Sequence, residues 1–185
     1  MIRKCLLLLL LYCLPVLCLA QQGLFQTSRS NVVFFSEAPL EDITAENDAA
    51  VSLINTGTNE IVVRLAISQF SFPNKLMQEH FNERFMESDK YPNATFKGKI
   101  NEAIPWDQPG TYPASATGVL SIHGKDVNRT IEGTITIGEQ QLGLDSKFKV
   151  ALADHDIDIP TIVFNKIAEV IDVTCQFQYR PYQKK

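Results

Sequence analysis

The stretch that decides the fold reads FNERFMESDKYPNATFKG and runs from Phe81 to Gly98. Its first part places Phe81 and Phe85 four residues apart, a spacing that puts both side chains on one face of a helix. A Tyr91-Pro92 turn follows, and the next residues alternate as in a β-strand. The stretch therefore predicts a helix, a turn and a strand in that order.

The predicted helix extends upstream to Asn74, whose side chain can cap the first turn. Met77 and His80 continue its apolar face, and we expect the helix to end near Asp89. A second helix is predicted from Pro160 to about Glu169, because proline is favoured in the first turn of a helix.

Elsewhere the chain alternates between apolar and polar residues, the pattern of strands with one buried and one wet face. The clearest run is the last one, where Ile171, Val173, Cys175, Phe177 and Tyr179 share one face. Three further runs place these residues on one face: Ile131, Ile135 and Ile137; Phe148, Val150 and Leu152; Ile61, Val63, Leu65 and Ile67. Shorter strands are predicted over 32–36, 49–54, 94–100 and 117–123.

About eight short strands with regular turns predict a mainly β protein, either an antiparallel sandwich or a closed barrel. After Ile67 the apolar phase shifts by one residue to Phe70 and Phe72, which predicts a β-bulge. The proline-rich segment from Glu102 to Ser115 is predicted to be a loop that forms a lid or rim.

The first residues are typical of a signal peptide. Arg3 and Lys4 precede an apolar run, and Cys18-Leu19-Ala20 ends in a small residue. We expect residues 1–20 to be removed, leaving one domain over 21–185 that is periplasmic or secreted. Cleavage removes three of the four cysteines, so the mature chain has no intrachain disulfide.

Loss of Arg3 and Lys4 takes the formal net charge from −4 to −6. With no basic patch, nucleic acid is not expected as a partner. No segment of the mature chain is long and apolar enough to be a transmembrane helix. The oligomeric state stays open, and a homodimer is one possibility.

Candidate chemistry is sparse. The Asp154-His155-Asp156-Ile157-Asp158 cluster could bind a divalent cation, but a solvated turn is the favoured interpretation because the remaining elements of a calcium loop are missing. His123 is expected to hydrogen-bond locally and His80 to be structural, and contact with a ligand headgroup is the alternative for either histidine. Cys175 lies on an apolar face, which favours an inert thiol. No catalytic residues, metal site or cofactor are predicted.

The segment Phe81–Gly98 resembles the central signature of the YceI family of secreted, lipocalin-like barrels. A second motif, TGVLSIHG over 117–124, resembles the glycine–leucine–threonine–hydrophobe–histidine–glycine strand of that family. The segment 148–160 and the closing strand 169–179 also fit. The resemblance implies a single antiparallel barrel with one or two short α-helices, whose lumen in several members holds a polyisoprenoid chain or another long amphiphile.

The resemblance implies a non-enzymatic binding protein that holds an isoprenoid-like or lipid-like ligand in its lumen. Its predicted lumen wall consists of Val63, Leu65, Phe70, Phe72, Phe81, Phe85, Phe96, Leu120, Ile135, Val150, Val173 and Phe177. The aromatic residues of this set fit an ordinary core as well as a pocket wall. Two alternatives stay open: an interaction module with a filled barrel, and a metal-dependent hydrolase built on Asp154–Asp158.

Overall fold

A computed structural model of the chain describes residues 23–37, 42–159 and 167–183. Within these ranges the chain forms nine strands: β1 (Leu24–Ser36), β2 (Ile43–Asn47), β3 (Val51–Asn55), β4 (Glu60–Ala66), β5 (Asn93–Ile100), β6 (Gly110–Ile122), β7 (Lys125–Ile137), β8 (Leu142–Ala151) and β9 (Val170–Pro181). One helix, α1 (Lys75–His80), continues directly as a π-helical turn, Phe81–Phe85. Single 3-10 turns cover Ile67–Gln69 and Leu152–His155.

The strands close into one antiparallel barrel. Neighbours pair in the order β3 to β9, and β9 pairs back with β1 along most of its length. Strands β2 and β3 share the other edge of β1, where β2 faces the C-terminal part and β3 the first three residues. Together they complete a ring eight strands around, which confirms the predicted mainly β barrel.

A two-residue turn links β6 to β7. Both of its residues, His123 and Gly124, have positive φ angles of 51° and 72°. Such a pair is the type I′ turn whose twist matches that of the two strands it joins. The turn brings the His123 side chain to the end of the barrel where β6 ends and β7 begins, here called the upper end.

Inward-facing residues close the opposite, lower end. Ile54, Ile100, Ile137, Leu142 and Tyr179 come from strand ends at this side of the barrel and are almost completely buried. Every second residue along each strand, counted from these positions, also points inward, because successive side chains in a strand alternate between faces. The lower end of the barrel is therefore a packed core.

The predicted helix is found, with one difference at its end. Asn74 caps it as expected, its side chain accepting a hydrogen bond from the backbone of Leu76 at 2.9 Å. The helix ends earlier than predicted, because the π-helical turn closes with a bond from the Met86 nitrogen to the Phe81 oxygen. Residues 160–166 of the second predicted helix lie outside the described residues, and 167–169 are not helical.

Three other expectations were wrong. The phase shift after Ile67 comes from a 3-10 turn, and the irregularity found in a strand lies in β1 between Thr27 and Arg29. Strand β2 was not predicted, and β1 and β6 are longer than expected. The supposed lid loop is shorter, because β6 begins at Gly110.

The loop before β6 lies at the lower end and not at a mouth. Trp106 donates a hydrogen bond from its indole nitrogen to the Asn59 side chain at 2.9 Å, and Ile104 is buried. These contacts tie the loop to the turn between β3 and β4. It therefore helps to close the floor of the barrel.

Among the described residues, no helix combines the length and the apolar character needed to cross a bilayer.

Candidate functional site: the barrel lumen

Above the packed lower end, the barrel encloses a cavity of about 710 Å³, whose lining reaches down to Ile100 and Ala114. Side chains from the inner faces of the strands and from α1 form its wall. Three of the exposed lining residues lie close together in the chain: Asn74 caps α1, Leu76 is on α1, and Arg84 is in the π-helical turn that continues it. The cavity therefore opens beside this helix, and its size is within the range of pockets for small molecules.

All twelve residues predicted for the lumen wall line this cavity: Val63, Leu65, Phe70, Phe72, Phe81, Phe85, Phe96, Leu120, Ile135, Val150, Val173 and Phe177. Phe70, Phe96 and Leu120 are buried in the surrounding core, while Val63, Leu65 and Val173 are only partly buried. The aromatic set is thus core and cavity wall at once. That these residues contact a ligand stays a prediction.

Several lining residues were missed by sequence reasoning. Phe148, Ile171 and Cys175 lie on faces whose alternation was recognised, so the same pattern could have included them. Phe34 lies on β1, whose alternation with Val32 was a weaker signal because the strand begins with polar residues. Leu76 on α1 and Arg84 in the π-helical turn also line the cavity, and no apolar pattern could have pointed to an arginine.

An aromatic cluster fixes the helix over the cavity. The Phe81 ring lies 5.4 Å from the Phe34 ring, 5.6 Å from the Phe70 ring and 5.0 Å from the Phe72 ring, measured between centroids. Contacts of this kind stabilise beyond simple burial, by ~0.5–1.5 kcal/mol for each pair. Phe81 therefore anchors the start of the π-helical turn to the barrel wall.

Cys175 faces the cavity and not bulk water. It is partly exposed, but its inward position on β9 places this exposed surface in the lumen. Burial raises the pKa of the thiol to about 12. The thiol therefore stays protonated and unreactive at neutral pH.

A hydrogen-bonded clamp holds α1 to the upper end of the barrel. His123 contacts the Glu87 carboxylate through Nε2 at 3.0 Å and the His155 carbonyl through Nδ1 at 3.1 Å. Both partners are hydrogen-bond acceptors, and each ring nitrogen is placed to donate to one of them when it carries a proton. The expected local hydrogen bond of His123 was wrong, because its partners lie 36 and 32 residues away in the chain.

The clamp carries unusual backbone geometry. Glu87, His123 and Asp156 all have positive φ, at 42°, 51° and 51°. Such conformations are uncommon for residues other than glycine and persist where surrounding contacts hold them. Here they join the end of the π-helical turn, the β6–β7 turn and the 3-10 turn before Asp156.

His155 is completely buried beneath the clamp. Neither of its ring nitrogens has a hydrogen-bond partner among the described residues. Burial is the main influence on its pKa and lowers it, although the nearby carbonyls of Ile122 and Lys125 act in the opposite direction. His155 is therefore a neutral core residue at neutral pH.

The acidic cluster after β8 does not form a metal centre in the structure. Asp154, Asp156 and Asp158 are exposed, His155 points into the core, and Asp156 forms an ion pair with Lys125. In the described part of the chain, no three His, Cys, Asp or Glu side chains converge on one point. The hypothesis of a hydrolase built on this cluster therefore gains no support.

Comparisons with known proteins agree with this architecture. A family model described as a YceI-like domain matches residues 21–179. No functionally curated protein matches the sequence significantly.

Solved structures with the same fold come from several bacteria. A polyisoprenoid binding domain from Saccharophagus degradans, implicated in plant cell wall breakdown, superposes with a TM-score of 0.76 at 14% identity, covering 85% of this chain and 98% of its own. BcnA of Burkholderia cenocepacia gives 0.68 at 15% identity, covering 80% and 95%. The YceI protein of Campylobacter jejuni gives 0.57 at 18% identity, covering 73% and 81%. At such identities, these similarities show the fold alone.

Proposed function

Because this chain belongs to the YceI-like domain family, we propose that it is a non-enzymatic binding protein that holds a long apolar or amphiphilic ligand in its lumen. An isoprenoid or another lipid has the required chemistry. One structural relative is a polyisoprenoid binding domain, which favours the same class of ligand here. The proposal needs no catalytic residue, metal or cofactor.

One observation carries the proposal: the cavity of about 710 Å³ inside the barrel. The rival interpretation, an interaction module with a filled barrel, requires side chains to occupy this space. The lower half of the barrel is filled in that way, by Ile54, Tyr179 and their neighbours. The cavity above this packed end leaves room for a ligand between the inner faces of the strands.

The wall of the cavity suits an acyl or isoprenoid chain. Most of its lining side chains are aliphatic or aromatic, and the twelve predicted wall residues are all of these types. Each methylene group that leaves water for such a wall contributes ~0.8 kcal/mol. A long chain can therefore bind tightly through burial, and the twelve wall residues are proposed as its contacts.

Export is the second part of the proposal. Residues 1–20 lie outside the described residues, and their charged start, apolar run and small final residue support removal as a signal peptide. The mature protein would begin at Gln21 and be periplasmic or secreted. N-terminal sequencing of the protein from the periplasm or medium tests this; an intact Met1 would contradict it.

Binding is tested by native mass spectrometry. The full chain is expressed with its own leader in a bacterial host, and the mature protein is purified without detergent. We expect one added mass per chain that organic extraction removes and that belongs to a lipid. Reconstitution of the extracted protein with farnesol or palmitate covers the case in which the host lacks a suitable ligand.

Two adjacent residues on β9 provide a matched pair of variants. Cys175→Trp fills the lumen, whereas Gln176→Trp adds the same ring on the outer face, where Gln176 is exposed. We expect the first variant to lose the ligand and the second to retain it. If the lumen variant fails to fold by circular dichroism, Val173→Phe replaces it. Retention of ligand by a folded lumen variant, or no binding of any lipid by the wild type, would overturn the proposal.

A further inference from the structure

Helix α1 and the π-helical turn present a two-residue-wide stripe to the cavity. Its members are Leu76, Met77, His80, Phe81, Arg84 and Phe85, all of which line the cavity. The stripe repeats every four residues, although an α-helix has 3.6 residues per turn and drifts by about 40° over each such step. The wider π-helical turn counteracts this drift, so the last pair still faces the lumen.

The two edges of the stripe differ in chemistry. The deeper edge consists of Met77, Phe81 and Phe85, which are partly buried. The outer edge begins with Leu76, which is 56% exposed, and continues with His80 and the exposed Arg84. An apolar chain in the lumen would therefore meet hydrogen-bond donors where it emerges beside the helix. Local π-helical turns are frequent at functional sites.

Arg84 has no carboxylate within ion-pair distance among residues 23–37, 42–159 and 167–183. Glu83 is exposed and does not line the cavity, and Glu87 is held by His123. The acidic residue of the cavity lining, Glu132, lies at an exposed, outward position of β7. The positive charge at the opening is therefore available to a ligand.

We propose that Arg84 and His80 form a headgroup site, and that the ligand is an amphiphile ending in an acid, a carboxylate or a phosphate. This inference rests on the proposed function. The guanidinium offers planar, paired donors that match both acids, and His80 adds a donor one turn away. The chain of the ligand lies along Phe81 and Phe85 in the lumen, and its acid lies at the opening.

The test compares ligands that differ in the headgroup alone. Mature protein freed of lipid is titrated with palmitate and hexadecanol, and in a second pair with farnesyl phosphate and farnesol, using displacement of a fluorescent lipid. We expect each acid to bind about fivefold more tightly than its alcohol, the size of a partly exposed ion pair. The pair with the larger difference identifies carboxylate or phosphate as the preferred acid.

Variants then assign the site. Arg84→Gln should remove the preference for the acid and leave the affinity for the alcohol unchanged, and His80→Gln should reduce that preference. Lys75→Gln is the matched control, because Lys75 is an exposed cation at the start of α1 that does not line the cavity. Equal binding of acid and alcohol by the wild type, or an equal effect of Arg84→Gln and Lys75→Gln, overturns the headgroup site alone. Failure of all four lipids to bind overturns the lumen proposal as well.

Discussion

The clamp at His123 offers a prediction whose size follows from its geometry. Replacing His123 with asparagine keeps a residue that tolerates positive φ but removes the ring that reaches Glu87 and the His155 carbonyl. The bond to the neutral carbonyl is worth about 1 kcal/mol. The free energy of the bond to Glu87 should lie between that of an exposed ion pair and that of a buried charged hydrogen bond, because the His123 side chain is 10% and the Glu87 side chain 44% exposed. We assign it about 1 kcal/mol as well.

The expected loss of unfolding free energy for His123→Asn is therefore about 2 kcal/mol. Urea denaturation at neutral pH measures it, with Glu87→Gln and the double variant completing a cycle. Because backbone effects at each position cancel in the cycle, the coupling energy reports the contact between the two side chains. We expect about 1 kcal/mol for this coupling. Additive effects of the two substitutions would refute the clamp, as would a loss below ~0.5 kcal/mol for His123→Asn.

Three further predictions concern stability. Burial lowers the pKa of His155 from its usual value of 6.5, so the unfolded chain takes up a proton at a higher pH than the native protein does. Below about pH 6.5 the wild type should therefore lose stability relative to His155→Phe. Thermal midpoints of the two proteins that change in parallel between pH 7 and 5 would contradict this. Gly118→Ala should lower the unfolding free energy measured in urea by about 2 kcal/mol or more, since the added Cβ would overlap the backbone of the paired strand β5. An unchanged urea midpoint would show that β5 and β6 can move apart to make room for it. Tyr179→Phe removes a buried hydroxyl that contacts the Ser52 hydroxyl at 2.9 Å and should cost about 1–2 kcal/mol, whereas Tyr182→Phe, at an exposed tyrosine, should leave the thermal midpoint unchanged.

Where an element depends on local pattern, the sequence predicted it. Alternation from Ile171 to Tyr179 placed β9 and its inward face correctly, and Asn74 marked the start of α1. The end of α1 was misplaced, because the π-helical turn depends on Phe81 packing against three other phenylalanines. No local signal in the chain encodes those distant contacts.

The candidate site divides in the same way. The apolar wall residues could be named from periodicity, since each strand shows which of its faces is apolar. Arg84 could not be named, because only the position of the helix at the opening makes a polar residue part of the lining. The role of His123 was also hidden, since both of its partners come from other elements.

By itself, the sequence determined most of the strands, their inward faces and the relation to the YceI-like family. These depend on a period of two residues and on short motifs, both of which are local. The tertiary structure alone decided that β9 pairs with β1 and that about 710 Å³ inside the ring stays free of side chains. The reason is that alternation selects which side chains point inward, whereas the width of the space they share depends on the number and tilt of all the strands together.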